Sequence, residues 1–129
     1  MAAIDTNILV RLLVGDDAAQ SKASQKLFAS EDIFIPDSVL LETEWVLRGV
    51  FDLSRADVCL AFRRICGLPN VALADGRRVA QVIDWHERGL DFADAFHLAL
   101  SKGQDAFKTF DSAFVKNAKK FTDRLVEKP

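Results

Sequence analysis

Four acidic side chains stand where the chain could do chemistry. Asp5 ends a short apolar opening segment, and Glu42 lies inside Leu40-Leu41-Glu42-Thr43-Glu44-Trp45. Asp94 falls near the start of a helical stretch, and Asp111 follows the run Ala106-Phe107-Lys108-Thr109-Phe110. Carboxylates brought together repel, and the cluster destabilises a fold unless it is protonated or neutralised. One or two Mg²⁺ ions supply the missing charge, since magnesium prefers oxygen ligands and keeps several waters. Two such ions ~4 Å apart clamp the attacking and leaving oxygens of an in-line phosphodiester displacement. Metal-activated water is then the nucleophile, so no serine, cysteine or histidine is needed.

Other chemistries have less behind them. The chain has neither a GxxxxGK[ST] nor a GxGxxG phosphate loop, and no Gly-x-Ser-x-Gly elbow. His86 and His97 are not at metal-ligand spacing, and both read as core or surface histidines. A phosphoryl-aspartate enzyme would want an acid two residues after Asp5, where this chain has Asn7. Cys59 and Cys66 lie seven apart in one helical stretch. That spacing puts them ~10 Å apart along the axis, beyond disulfide reach, so they read as two buried, inert thiols.

Each acid also has a purely structural explanation. Asp5 and Asp111 suit helix N-caps. Asp94 suits the third helical position opposite an Asp91 cap, at the positive helix end. Glu42 fits such an explanation less well. Its helical neighbours Ser38, Val39, Trp45 and Val46 form a largely apolar stripe with no basic partner, so an inward carboxylate there would need compensation. Glu44, with Arg48 at i+4, reads as a surface pair.

The elements that must position these acids alternate. Apolar runs at 2–5, 33–35, 71–73 and 106–110, with a short one at 124–126, read as strands. Helices are expected between them. The first follows Asp5 and is stopped by Gly15. The second opens at Asp16-Asp17 and runs to about Ser30, with Ala18, Ala19, Ala23, Leu27 and Phe28 inward. The third is capped by Asp37 or Ser38, and the fourth, after Ser54, reaches Cys66. The later ones span 77–88, Asp91 to Lys102, and Asp111 or Ser112 to Lys120. Such alternation implies an α/β fold with a mostly parallel sheet flanked by helices. Ligands then bind beyond the carboxyl ends of the strands, where Asp5 and Asp111 fall.

Length and composition bound the rest. At 129 residues, half of them apolar and 28% charged, the chain reads as one soluble domain over residues 1–129. It has no membrane-length apolar run and no signal peptide, so it is expected to be cytoplasmic. The formal charge of −2 counts mildly against a nucleic-acid binder. Four acids on bound cations would leave the remainder mildly basic.

Taken in order, these residues resemble the motifs of PIN domains. Asp5-Thr6-Asn7-Ile8-Leu9 after an apolar start is similar to the opening motif, and Glu42 to the second acidic position. Leu90-Asp91-Phe92-Ala93-Asp94-Ala95-Phe96-His97 resembles the third, and Thr109-Phe110-Asp111 with Phe114 the fourth. One position departs: where many relatives carry an acid two residues after the fourth motif's aspartate, this chain has Ala113. A stand-alone chain of this size resembles a VapC-type toxin of a toxin–antitoxin pair. The resemblance implies a three-layer sandwich with a mostly parallel central sheet of four to five strands. It implies an endoribonuclease dependent on Mg²⁺ or Mn²⁺, a homodimer, and a small antitoxin protein as partner. Asp5, Glu42, Asp94 and Asp111 would be the metal-site and catalytic acids. Thr6, Asn7 and Thr109 would orient them, with Asp91 assisting.

Two surfaces could serve such an enzyme. Lys116, Lys119 and Lys120 share a helical face and, with Lys108 and Arg11, could contact RNA phosphates. A solvated helix face is the simpler explanation. Trp45, Val46, Leu47, Val50 and Phe51, with Val58, Leu60 and Phe62, could line a groove for a partner helix or pack within the chain. Two other functions remain open on the sequence: a non-catalytic PIN-like module recognising a basic peptide, and a metal-dependent DNA nuclease or phosphatase.

Overall fold

The computed structural model describes residues 1–129. The chain forms two compact units, Met1–Gly76 and Arg77–Pro129. No helix is long and apolar enough to cross a membrane.

The first unit runs β1 (Ala2–Ala3), α1 (Thr6–Val14), α2 (Ala18–Ser30), β2 (Ile33–Phe34), α3 (Asp37–Gly49), α4 (Arg55–Cys66) and β3 (Val71–Ala72). The three strands are parallel in the order β1-β2-β3, with Ala3 opposite Phe34 and Phe34 opposite Ala72. α1 packs against both α2 and α3, so the helices of the two crossovers meet. Ile33, Ile35, Leu9, Leu40, Leu47 and Phe62 are fully buried. Each apolar side chain of this size contributes ~1.5–3 kcal/mol when removed from water.

Local signals set most of the ends. Asp17 and Ser54 cap α2 and α4 by accepting from the Gln20 and Asp57 N–H groups. Gly15 closes α1 in the left-handed region, φ 71°, which a side chain would strain. α3 differs from expectation: its N-cap is Pro36, which offers no side-chain acceptor, and Asp37 is already the first helical residue. α2 differs too. Ser21, Ser24 and Phe28 face inward, while Ala18, Ala19 and Ala23 are exposed. Ser21 Oγ donates to the Arg11 carbonyl, so its hydroxyl goes in without an unsatisfied polar atom.

The second unit holds most of α5 (Gly76–Glu87), then α6 (Phe92–Leu100), β4 (Phe107–Lys108), α7 (Ser112–Ala118) and β5 (Val126–Glu127). β4 and β5 are parallel, Phe107 opposite Val126 and Lys108 opposite Glu127. His86, Phe92 and Phe96 form an edge-on aromatic chain. Phe107 lies against both His97 and Phe114. His86 is fully buried, its Nδ1 bonded to the Leu90 carbonyl, as befits a core histidine. α6 and α7 end two residues before their expected stops, at Leu100 and Ala118, in turns closed by local backbone bonds.

The architecture is thus α/β with parallel strands, as the alternation implies. Its five strands pair as three in one unit and two in the other.

Candidate active site

In the first unit, chain order puts Asp5 just past the carboxyl end of β1, beside the backbone bond from Ile4 N–H to the Phe34 carbonyl. It is the N-cap of α1, and its Oδ1 accepts from the Thr6 N–H at 2.6 Å. The cap engages one carboxylate oxygen and leaves the other uncommitted. Thr6 is buried beneath it and Asn7 is exposed. Asn7 also lines a cavity of about 420 Å³ between α1 and α2, with Ile8, Arg11 and Leu27.

Glu42 corrects the sequence reading. The buried stripe of α3 is Leu40, Thr43, Glu44 and Leu47, which turns Glu42 outward and Glu44 inward. Glu44 has a side chain 3% exposed, held by Arg48 Nε at 2.8 Å. The long arginine stem covers the acid while its head reaches water, so the pair sits partly inside rather than on the surface. Glu42 needs no compensation; it is a solvent-facing carboxylate without a side-chain partner, free to meet a ligand. Trp45, one helical turn on, is also exposed.

In the second unit the acids meet one another. Asp91 caps α6 through Oδ2, which accepts from the Asp94 N–H at 3.2 Å. Asp94 does not return the bond, so it is no capping-box partner and its carboxylate is unengaged. Asp111 caps α7, Oδ1 accepting from the Phe114 N–H at 3.0 Å. Its own N–H donates to Thr109 Oγ1, so Thr109 fixes the turn that presents it. Partial burial, then the negative charges of Asp91 and Asp111, push the Asp94 carboxyl above its usual range, while His97 pulls it down. His97 is an exposed ring stacked on Phe107, not a core residue.

The expected RNA contacts are mixed. Arg11 is already engaged by Asp16 and Gln20, and Lys108 by Glu127. Lys116, Lys119 and Lys120 are exposed, but α7 stops at Ala118, so the three do not share one unbroken helix. Of the expected partner groove, Leu47, Val58 and Phe62 are core, and only Trp45, Val50 and Leu60 are strongly exposed. No group of three or more histidine, cysteine or acidic side chains is arranged to hold a metal ion.

A family model described as PIN domain matches residues 2–120. The chain belongs to the PIN domain family. No curated protein matches it. Among solved structures it is similar to VapC20 of Mycobacterium tuberculosis, a toxin that cleaves the sarcin–ricin loop. The two are 25% identical, the match covers 94% of this chain and 96% of that one, and the TM-score is 0.41. In this PIN domain the structural and chemical explanations of the acids turn out to be compatible. Asp5, Asp91 and Asp111 each cap a helix with one oxygen and keep a second.

Proposed function

We propose that this PIN domain is a metal-dependent endoribonuclease, the toxin of a type II toxin–antitoxin module. The observation that carries the reading is the meeting of Asp91, Asp94 and Asp111, where partial burial and then the like charges of Asp91 and Asp111 raise the Asp94 carboxyl. The donor set is made of hard oxygens, and its repulsion is the kind a divalent cation relieves, so the residues fit Mg²⁺ or Mn²⁺. Asp5, Glu42, Asp94 and Asp111 would hold one or two ions. A bound ion would neutralise phosphate charge and lower the pKa of water at neutral pH.

The chain's own residues do the rest. The helix caps fix Asp5 and Asp111 at the starts of α1 and α7, so neither carboxylate has to be ordered when substrate arrives. Thr109 holds the Asp111 backbone, and Asp91 holds the turn carrying Asp94. Thr6 and Asn7 complete the turn at Asp5. The physiological setting in this reading is the cytoplasm, with a homodimer, an RNA substrate and a small antitoxin protein as partner.

The deciding assay incubates purified protein with RNA, single-stranded DNA and a small phosphate ester, each with Mg²⁺, Mn²⁺ or chelator. Internal cuts in RNA alone, lost with chelator and with Asp5→Asn, are expected. RNA left intact under every metal would sink the reading, and cleavage of DNA or ester instead would replace it. Induction in cells, wild type beside Asp5→Asn, tests toxicity.

A further inference from the structure

Phe110 lies between Thr109 and Asp111 with 82% of its surface exposed. Burying a phenylalanine is worth ~1.5–3 kcal/mol, and a single exposed ring is ordinary by itself. This one is unusual in how firmly it is held. Thr109 N–H donates to the Glu127 carbonyl on one side, and Asp111 N–H donates to Thr109 Oγ1 on the other. Asp111 is in turn bonded to the Phe114 N–H. Along Phe107, Lys108, Thr109 and Phe110, burial alternates half-buried, exposed, half-buried, exposed. The ring therefore stands outward on a fixed turn, beside an acid whose second oxygen is free.

Its neighbours along the chain are mostly polar: Lys108, Asp111 and Ser112 are exposed, and the exposed apolar residues nearest in sequence and register, Ala113 and Pro129, are small. A protein hot spot sits in a well-packed pocket whose surrounding contacts exclude water, whereas this ring stands on an exposed turn. A lone aromatic face with polar edges suits a nucleobase, which is planar, apolar on its faces and polar at its rim. Lys108, on the same side of the strand, is paired with Glu127 at the surface, an arrangement that a phosphate can displace at little cost. The same juxtaposition recurs in the first unit, where Trp45 is 63% exposed one turn from Glu42 on α3.

We propose that Phe110 is a stacking platform for an unpaired base adjacent to the phosphate that is cut, and so restricts cleavage to single-stranded positions. This rests on the endoribonuclease reading. Stacking is equally available in ground and transition states, so it acts on KM and leaves kcat largely unchanged.

The test uses the full chain and a mixed-sequence single-stranded ribo-oligonucleotide carrying one 2-aminopurine. With Mg²⁺ and the Asp5→Asn background, 2-aminopurine fluorescence should be quenched on binding. Phe110→Ala should abolish the quench and weaken binding about tenfold; Phe110→Trp should restore both, and Phe110→Leu should not. In the active background, Phe110→Ala should raise KM about tenfold at nearly unchanged kcat. Wild type inert on RNA sinks the nuclease reading. Wild type that cuts, beside Phe110→Ala with unchanged quench and KM, sinks the stacking inference alone. So does a Phe110→Ala defect confined to self-association or to protein binding.

Discussion

In residues 1–76 Asp5, Glu42 and Glu44 have partners that are not acids, or only solvent, whereas in residues 77–129 three acids have one another. Asp5 accepts from a backbone N–H, Glu44 is gripped by Arg48, and Glu42 faces water. Asp94, by contrast, feels Asp91 and Asp111 and has His97 as its one favourable charge. The first unit satisfies its buried Glu44 locally. The second leaves a local deficit of positive charge around the partly buried Asp94. A cation would accordingly gain more from the second set than from Asp5 or Glu42 alone, although the proposed nuclease chemistry would draw on both sets.

The largest effect tests that last clause. Removing a partner that merely orients a metal ligand costs ~10–100-fold, so removing a ligand should cost at least about 100-fold. Asp5→Asn and Asp111→Asn should each reach that loss in initial rates of RNA cleavage. If the acids of the two units work as one set, Asp5→Asn/Asp111→Asn should be little worse than either alone. Losses that multiply would mean two independent contributions and break the comparison in its present form.

The next effect is on stability and separates the two glutamates of α3. Glu44→Ala should cost about 1–3 kcal/mol in chemical denaturation, because a buried paired carboxylate is removed while Arg48 regains water. Glu42→Ala should stay within about 0.5 kcal/mol, as surface changes do, yet abolish cleavage. The opposite pattern would return Glu44 to the surface and Glu42 to the core.

That inversion shows how much could be read from the residues. The caps at Asp17, Ser54, Asp91 and Asp111 and the stop at Gly15 were legible because each depends on one side chain and its own backbone. The parallel α/β pattern was legible from alternation. The phase of α3 was not: two acids two residues apart both lie among apolar neighbours, and only packing decides which faces in. α2 misled for a related reason, since alanine is indifferent to burial while a serine hydroxyl can bond to the Arg11 carbonyl and go inside. At the site, residue types singled out four acids as candidates. They could not disclose that capping uses one oxygen and spares the other, or that Phe110 stands bare beside Asp111.

A smaller effect follows from Asp94. Its carboxyl is raised in the folded state, so its contribution to stability is fully present below the unfolded pKa and lost as pH rises through the folded one. Without divalent ions, wild type should therefore lose stability relative to Asp94→Asn as pH climbs from the ordinary aspartate range toward neutrality. Thermal melts of both proteins over that range give the sign. Mg²⁺ at neutral pH should stabilise wild type more than the variant, since an ion that binds only the folded state adds RT ln(1 + [L]/Kd). An equal response in the two proteins would remove Asp94 from the ion's ligands.

The smallest effect uses Cys66 as a control from the first unit. Burial alone pushes its thiol from the ordinary 9.0 to about 11, with no charged neighbour involved. At pH 8 that leaves about one thiol in a thousand ionised, roughly 90-fold fewer than at the ordinary value. A more basic thiolate is intrinsically more nucleophilic, by roughly eightfold over that interval. Iodoacetamide should then modify Cys66 only about tenfold more slowly than free cysteine, before any loss of access through burial. Because no acid contributes, Mg²⁺ should leave this rate unchanged while it shifts the Asp94-dependent melt. A Mg²⁺-sensitive alkylation rate would show that the ion's influence reaches α4, and that the charge deficit is not confined to the second unit.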